Sequence, residues 1–134
     1  MKNSKLVIAM AFAVVGLTTS VFAQSAVKAT IPFDFTIAKQ TLPAGEYKVV
    51  SLGTVLQVVR LDGPGSVFMQ SYVAGYKRDA TPRLIFHRYG NRSFLAQAWI
   101  ADTGRELIAS AREIEYARTE NQAQAVVFAS LLHR

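Results

Sequence analysis

Between Val27 and Ile37 the apolar residues Val27, Ala29, Ile31, Phe33, Phe35 and Ile37 occupy alternate positions, with Lys28, Thr30, Pro32, Asp34 and Thr36 between them. A period of two belongs to a strand with one buried face. Pro32 has no amide proton to give to a ladder, so the strand is expected at a sheet edge or broken there. Leu42-Pro43-Ala44-Gly45 follows and fits a type I turn. Proline pre-sets the backbone angle of the second position, and glycine suits the fourth. Tyr47 and Val49 then resume the alternation, with Glu46 and Lys48 between.

Strand signals continue about every eight to twelve residues, a spacing that suits a sandwich or a barrel. Residues 46–52 and 55–61 flank Gly53-Thr54, which fits a two-residue type II′ hairpin. Asp62-Gly63-Pro64-Gly65 is a turn by composition. Residues 67–73 read as a strand with Val67, Met69, Ser71 and Val73 on one face, and residues 74–82 as the longest exposed loop. Residues 83–89 and 92–101 flank Gly90-Asn91. A tight hairpin there pairs Tyr89 with Arg92, His87 with Phe94 and Phe86 with Leu95. It places Ile85, His87, Phe94, Ala96, Ala98 and Ile100 on one face, and Leu84, Phe86, Leu95 and Trp99 on the other. Both faces are largely apolar, so the hairpin is expected to be covered on both sides. Ser110 and Glu113 form a capping-box pair, predicting a helix over about 110–120 with Ala111, Ile114 and Ala117 facing the sheet. Residues 123–132 read as a final strand. The fold expected is mainly β: a single antiparallel β-sandwich or small barrel of about seven to eight strands, with one short helix near the C-terminus.

The first 23 residues have the form of a secretory signal peptide. Lys2 and Lys5 precede an apolar run from Leu6 to Leu17, twelve residues against the roughly 20 of a membrane-spanning helix. Val21-Phe22-Ala23 supplies small residues for cleavage before Gln24. Cleavage leaves residues 24–134, one β-rich domain large enough to bury a core. The net charge falls from +6 to +4 with the loss of the two lysines. There is no cysteine, which removes disulfides, thiol catalysis, thiolate metal sites and a lipid-modified terminus.

Phe33-Asp34-Phe35 followed by Leu42-Pro43-Ala44-Gly45-Glu46-Tyr47-Lys48-Val49 resembles the signature of a family of small exported bacterial proteins of uncharacterised activity. Leu84-Ile85-Phe86-His87-Arg88-Tyr89-Gly90, and Ser110 followed by Arg112-Glu113, are similar to further pieces of it. Together these cover about half of the exported chain. The resemblance implies export and a β-rich domain, and carries no activity, cofactor or functional residue.

No arrangement of residues rises to a catalytic signature. His87 is the one histidine inside a strand, and a general base needs a nucleophile or an orienting carboxylate nearby. Its neighbours Phe86 and Arg88 and its cross-strand partner Phe94 supply neither, so a structural role is expected. His133 is penultimate. No metal-ligand spacing, phosphate loop or cofactor motif occurs, and Gly63-Pro64-Gly65 lacks the lysine and the helix a phosphate loop needs. Asp34, between two phenylalanines, is the carboxylate that stands apart. If buried, it needs an arginine or a backbone donor. With Glu46 it makes a glycosidase-like pair only if the turn between them brings the two acids close. The aromatic residues fall at strand spacing and are expected to fill a core; a barrel of this size holds one small ligand or none.

Lys77, Arg78, Arg83, Arg88 and Arg92 lie close in sequence, but strand geometry splits them. Arg83 and Arg88 stand about 17 Å apart along one strand, at opposite ends of the hairpin. That argues against specific nucleic-acid recognition and for weak polyanion binding at most. Spanning strands of about 9–11 residues leave little room for an outer-membrane barrel in such a chain. The reading is an exported, non-enzymatic β domain, periplasmic or extracellular, binding a small ligand or an envelope component. The alternative is a hydrolase of envelope polymers that uses Asp34 or another carboxylate.

Overall fold

The computed structural model describes residues 25–132. The leader expected over residues 1–23 and His133 lie outside the described residues. The strands are β1 (Ser25–Ile31), β2 (Phe35–Ile37), β3 (Gln40–Leu42), β4 (Gly45–Leu52), β5 (Val55–Arg60), β6 (Ser66–Tyr76), β7 (Arg83–Tyr89), β8 (Arg92–Ile100), β9 (Thr103–Leu107), β10 (Gln122–Phe128) and β11 (Ser130–Leu132). Among the described residues one helix, α1 (Ala111–Thr119), precedes β10. The described chain is thus mainly β with a short helix near its C-terminal end. All eleven strands belong to one sheet, ordered β10-β7-β8-β9-β6-β5-β4-β1-β11, with β2 pairing β3 and β8. Every ladder is antiparallel except the single parallel bridge of β2 to β8. The two end strands, β10 and β11, are separated in sequence by Ala129 alone.

The opening alternation holds. Val27, Ala29, Ile31, Phe35 and Ile37 are buried, and Phe33 packs at the core's edge. The strand breaks at Pro32-Phe33-Asp34, where the missing amide ends the ladder, so the arm is two strands rather than one. A short hairpin, β2–β3, turns at Ala38-Lys39, which no glycine or proline marks. Ala38 takes a left-handed φ of 56° there. β1 runs beside β4 from Ser25↔Ser51 to Ile31↔Gly45. Gly53 and Gly90 open their two-residue loops with φ of 77° and 64°, values that cost glycine little. The core gathers Phe35 edge-on against Tyr47 and Phe86, with ring centroids 5.1 and 5.5 Å apart. Those three rings fill space rather than line it.

Three expectations are corrected. The Gly90-Asn91 hairpin pairs Tyr89 with Arg92, His87 with Phe94 and Phe86 with Leu95, as the spacing predicted. The register then shifts, and Ile85 faces Gln97. One extra residue turns every later side chain to the other face. Ala98 and Ile100 therefore join Leu84, Phe86 and Leu95 in the core, while Trp99 shares the opposite face with Ile85. Strand β6 runs to Tyr76, three residues beyond its expected end, so the loop before β7 is confined to 77–82. The helix is capped by Ser110, whose Oγ accepts from the Glu113 amide, but it turns Glu113 inward and leaves Ile114 exposed. The face of Ala111, Ile114 and Ala117 points to solvent because the helix docks through Glu113 and the Tyr116 ring instead.

Candidate functional site

The residues of the opening motif build one hydrogen-bonded knot. Asp34 is exposed, and its Oδ1 accepts from the Ala44 amide at 3.0 Å. The Tyr47 hydroxyl donates to the Pro43 carbonyl at 2.6 Å. These two bonds pin the Pro43-Ala44 corner to β4 and to the segment before β2. Asp62 approaches Gly45 from the next turn while its Oδ1 accepts from Arg60 Nε at 2.8 Å. That bond holds the Asp62 carboxyl below the ordinary carboxylate range. Glu46 instead meets Lys28 at 3.6 Å. Asp34 and Glu46 thus have separate partners, and what Asp34 does here is anchor a turn.

His87 has a carboxylate after all. Glu113, buried on the inner side of α1, places Oε2 2.9 Å from His87 Nδ1 and accepts from the Tyr89 hydroxyl at 2.8 Å. Gln122 Nε2 donates to the same hydroxyl at 2.8 Å. Burial first, and then Glu113, push the Tyr89 phenol up. Sequence reasoning looked at the residues next to His87; the acid comes from 26 residues further on, brought by helix docking. Among the described residues no hydroxyl nucleophile is bonded to this histidine, so the cluster latches α1 onto β7.

The three hairpin arginines each lie over a ring: Arg83 over Trp99 at 4.8 Å, Arg88 over Phe33 at 5.0 Å and Arg92 over Tyr116 at 4.8 Å. Arg105 went unremarked in the sequence because it alternates within a short strand. It is buried, donates to Ser71 Oγ at 3.1 Å and to the Ser71 carbonyl at 2.8 Å, and takes part in no ion pair among the described residues. The described residues hold no group of three or more side chains arranged for a metal, and no helix among them is long and apolar enough to cross a membrane.

The described residues form an open groove of about 750 Å³. Its walls come from the Ala38-Lys39 turn, the first residues of β6, and the link from β9 into α1. Met69 and Val67 lie in it from one element, Ile108 and Ala109 from another. Two large apolar side chains are left bare at the groove, Phe68 and Ile108, each 58% exposed. Lys39 is the only charged residue on its walls. Neither Asp34 nor His87 lines it. No local run of residues marks this site, because its three walls lie about 30 and 40 residues apart.

No family model, no curated protein and no solved structure matches the chain.

Proposed function

We propose that the protein is an exported, non-enzymatic binding module that takes a small amphiphile with an apolar tail, such as a long-chain carboxylate, in this groove. The observation that carries the reading is the exposure of Phe68 and Ile108, from separate elements, on one groove. Apolar side chains exposed together on one concave surface are the kind of feature that ligand sites use. The groove falls within the range of about 300–1,000 Å³ usual for small-molecule sites. Lys39 at the turn supplies the cation for a carboxylate head, and Phe68, Met69 and Ile108 cover the tail. The sheet wraps one core. Its interior is filled by Phe35, Tyr47 and Phe86, so the ligand binds at the groove and not inside.

The test is displacement of an apolar fluorescent probe, anilinonaphthalene sulfonate, by dodecanoate. Wild-type mature protein should release the probe in proportion to dodecanoate. Ile108→Glu, at an exposed position, should abolish the competition through charge repulsion and lost apolar cover. Lys39→Ala should weaken it several-fold, the scale of one exposed ion pair. Equal binding by wild type and Ile108→Glu removes the groove from the account. Export is tested separately by mass spectrometry of protein from its native host: an amino terminus at Gln24 is expected, and an intact Met1 in the cytoplasmic fraction contradicts it.

A further inference from the structure

The sheet face turned away from the core carries a second surface, remote from the groove in chemistry. Helix α1 covers its Tyr89-Phe94 end, where Tyr116 lies against Phe94 with centroids 6.0 Å apart. Beyond the helix two cross-strand rows lie on this face, with Tyr72, Val126 and Phe128 exposed and Ile85 buried among its neighbours. In one, Tyr72, Glu106, Gln97, Ile85 and Val126 stand in register across β6, β9, β8, β7 and β10. In the other, Gly75, Gly104, Trp99, Arg83 and Phe128 do the same. Five strands span about 19 Å, and the rows lie about 7 Å apart.

The first row is wired together. Trp99 Nε1 donates to Gln97 Oε1 at 3.1 Å, Gln97 Nε2 donates to Glu106 Oε1 at 2.9 Å, and the Tyr72 hydroxyl donates to Glu106 Oε2. The second row is flattened. A Cβ at Gly104 would sit 2.5 Å from the Trp99 ring, and one at Gly75 3.6 Å from it, so two glycines in register let the indole lie down on the sheet. Arg83 stacks on that ring, and Phe128 opposite it is 69% exposed. Tyr72 is 47% exposed.

We infer that this face docks a neutral polysaccharide chain of pyranose rings. The indole lies between the two glycines and Arg83, so the rings left to offer flat apolar faces to the C–H sides of sugars are those of Tyr72 and Phe128. The amide, carboxylate and guanidinium between them supply both donors and acceptors for hydroxyls in the plane of the sheet. The hydrogen-bonded chain already fixes the Gln97, Glu106 and Tyr72 rotamers, so little ordering is left to be done on binding. Charge selects the partner. Lys77, Arg78 and Arg83 on this face and its adjoining loop are matched in number by Asp79, Asp102 and Glu106, and the Asp79 amide donates to Asp102 Oδ1 between them. A surface with no net field favours an uncharged chain over a polyanion. An apolar protein partner would have to bury the same polar chain without replacing its water.

Trp99 is the only tryptophan in the chain, so its emission reports directly on this face. Mature protein is titrated with hydroxyethyl cellulose, and in parallel with alginate, and run through native gels containing each polymer. The inference expects a shift of tryptophan emission and gel retardation with hydroxyethyl cellulose, little changed by salt. Phe128→Ser, at an exposed position, should weaken both at least tenfold with circular dichroism unchanged, as should Gln97→Leu. Dodecanoate competition should be untouched in Phe128→Ser, which separates this face from the groove. Absence of any response to hydroxyethyl cellulose overturns the inference. So does unaltered binding in both variants, and so does a response to alginate alone with a steep salt slope.

Discussion

Single residues in this protein are constrained by what approaches them, and Gly45 shows it. A Cβ there would meet Asp62 Oδ2 at 2.7 Å. A swing of that carboxylate away breaks its bond to Arg60, and the Gly45 φ of 158° adds backbone strain for any residue with a Cβ. Gly45→Ala should therefore destabilise by roughly 1 kcal/mol or more, read as a lower urea midpoint with an unchanged slope. A neutral effect would mean that Asp62 moves aside without cost. The tyrosines make a second residue-scale expectation. Burial raises Tyr47 and Tyr89, and the bond to Glu106 raises Tyr72. A phenol raised in the folded state favours the fold while protonated, so this contribution is complete below the ordinary phenol value of about 10 and is lost as pH climbs through the raised values. The urea midpoint should be flat across that range from below and fall steeply above it. A midpoint that holds through full ionisation would contradict the burial of Tyr47 and Tyr89 and the Tyr72–Glu106 bond.

Elements show how far local sequence can be read. The Gly90-Asn91 hairpin was legible, and with it the three pairs nearest the turn, because turn chemistry and alternation act within a few residues. The bulge beyond Phe86 was not, since nothing in the run 94–100 marks the extra residue. The N-cap of α1 was legible because Ser110 and Glu113 lie three apart. Its buried face was not: an apolar reading picks Ile114, whereas the helix docks through Glu113 onto His87 and Tyr89, partners remote in sequence. Glu113→Ala strips a buried carboxylate from two donors and should cost about 1–3 kcal/mol by urea unfolding. His87→Phe removes one of those donors and should cost less, while leaving dodecanoate competition intact. Loss of competition in His87→Phe with a normal circular dichroism spectrum would make the latch part of the binding site.

At the scale of the whole molecule, a filled core and an unpaired apolar groove divide the work. Phe35, Tyr47, Phe86 and Leu84 are all but inaccessible, so stability resides there without help from disulfides. The groove takes its walls from three segments that only the assembled sheet brings together, which is why the strand pattern announced the fold and not the site. Asp34, the acid that stood apart in the sequence, serves the turn that lets β4 run back along β1. The claim that this assembled groove receives an amphiphile is tested most directly by amide hydrogen exchange with and without dodecanoate. The account predicts slowed exchange confined to residues 38–40, 66–69 and 108–111, lost in Ile108→Glu. Slowed exchange elsewhere with none in these segments, or no change at dodecanoate concentrations that displace the fluorescent probe, would contradict it.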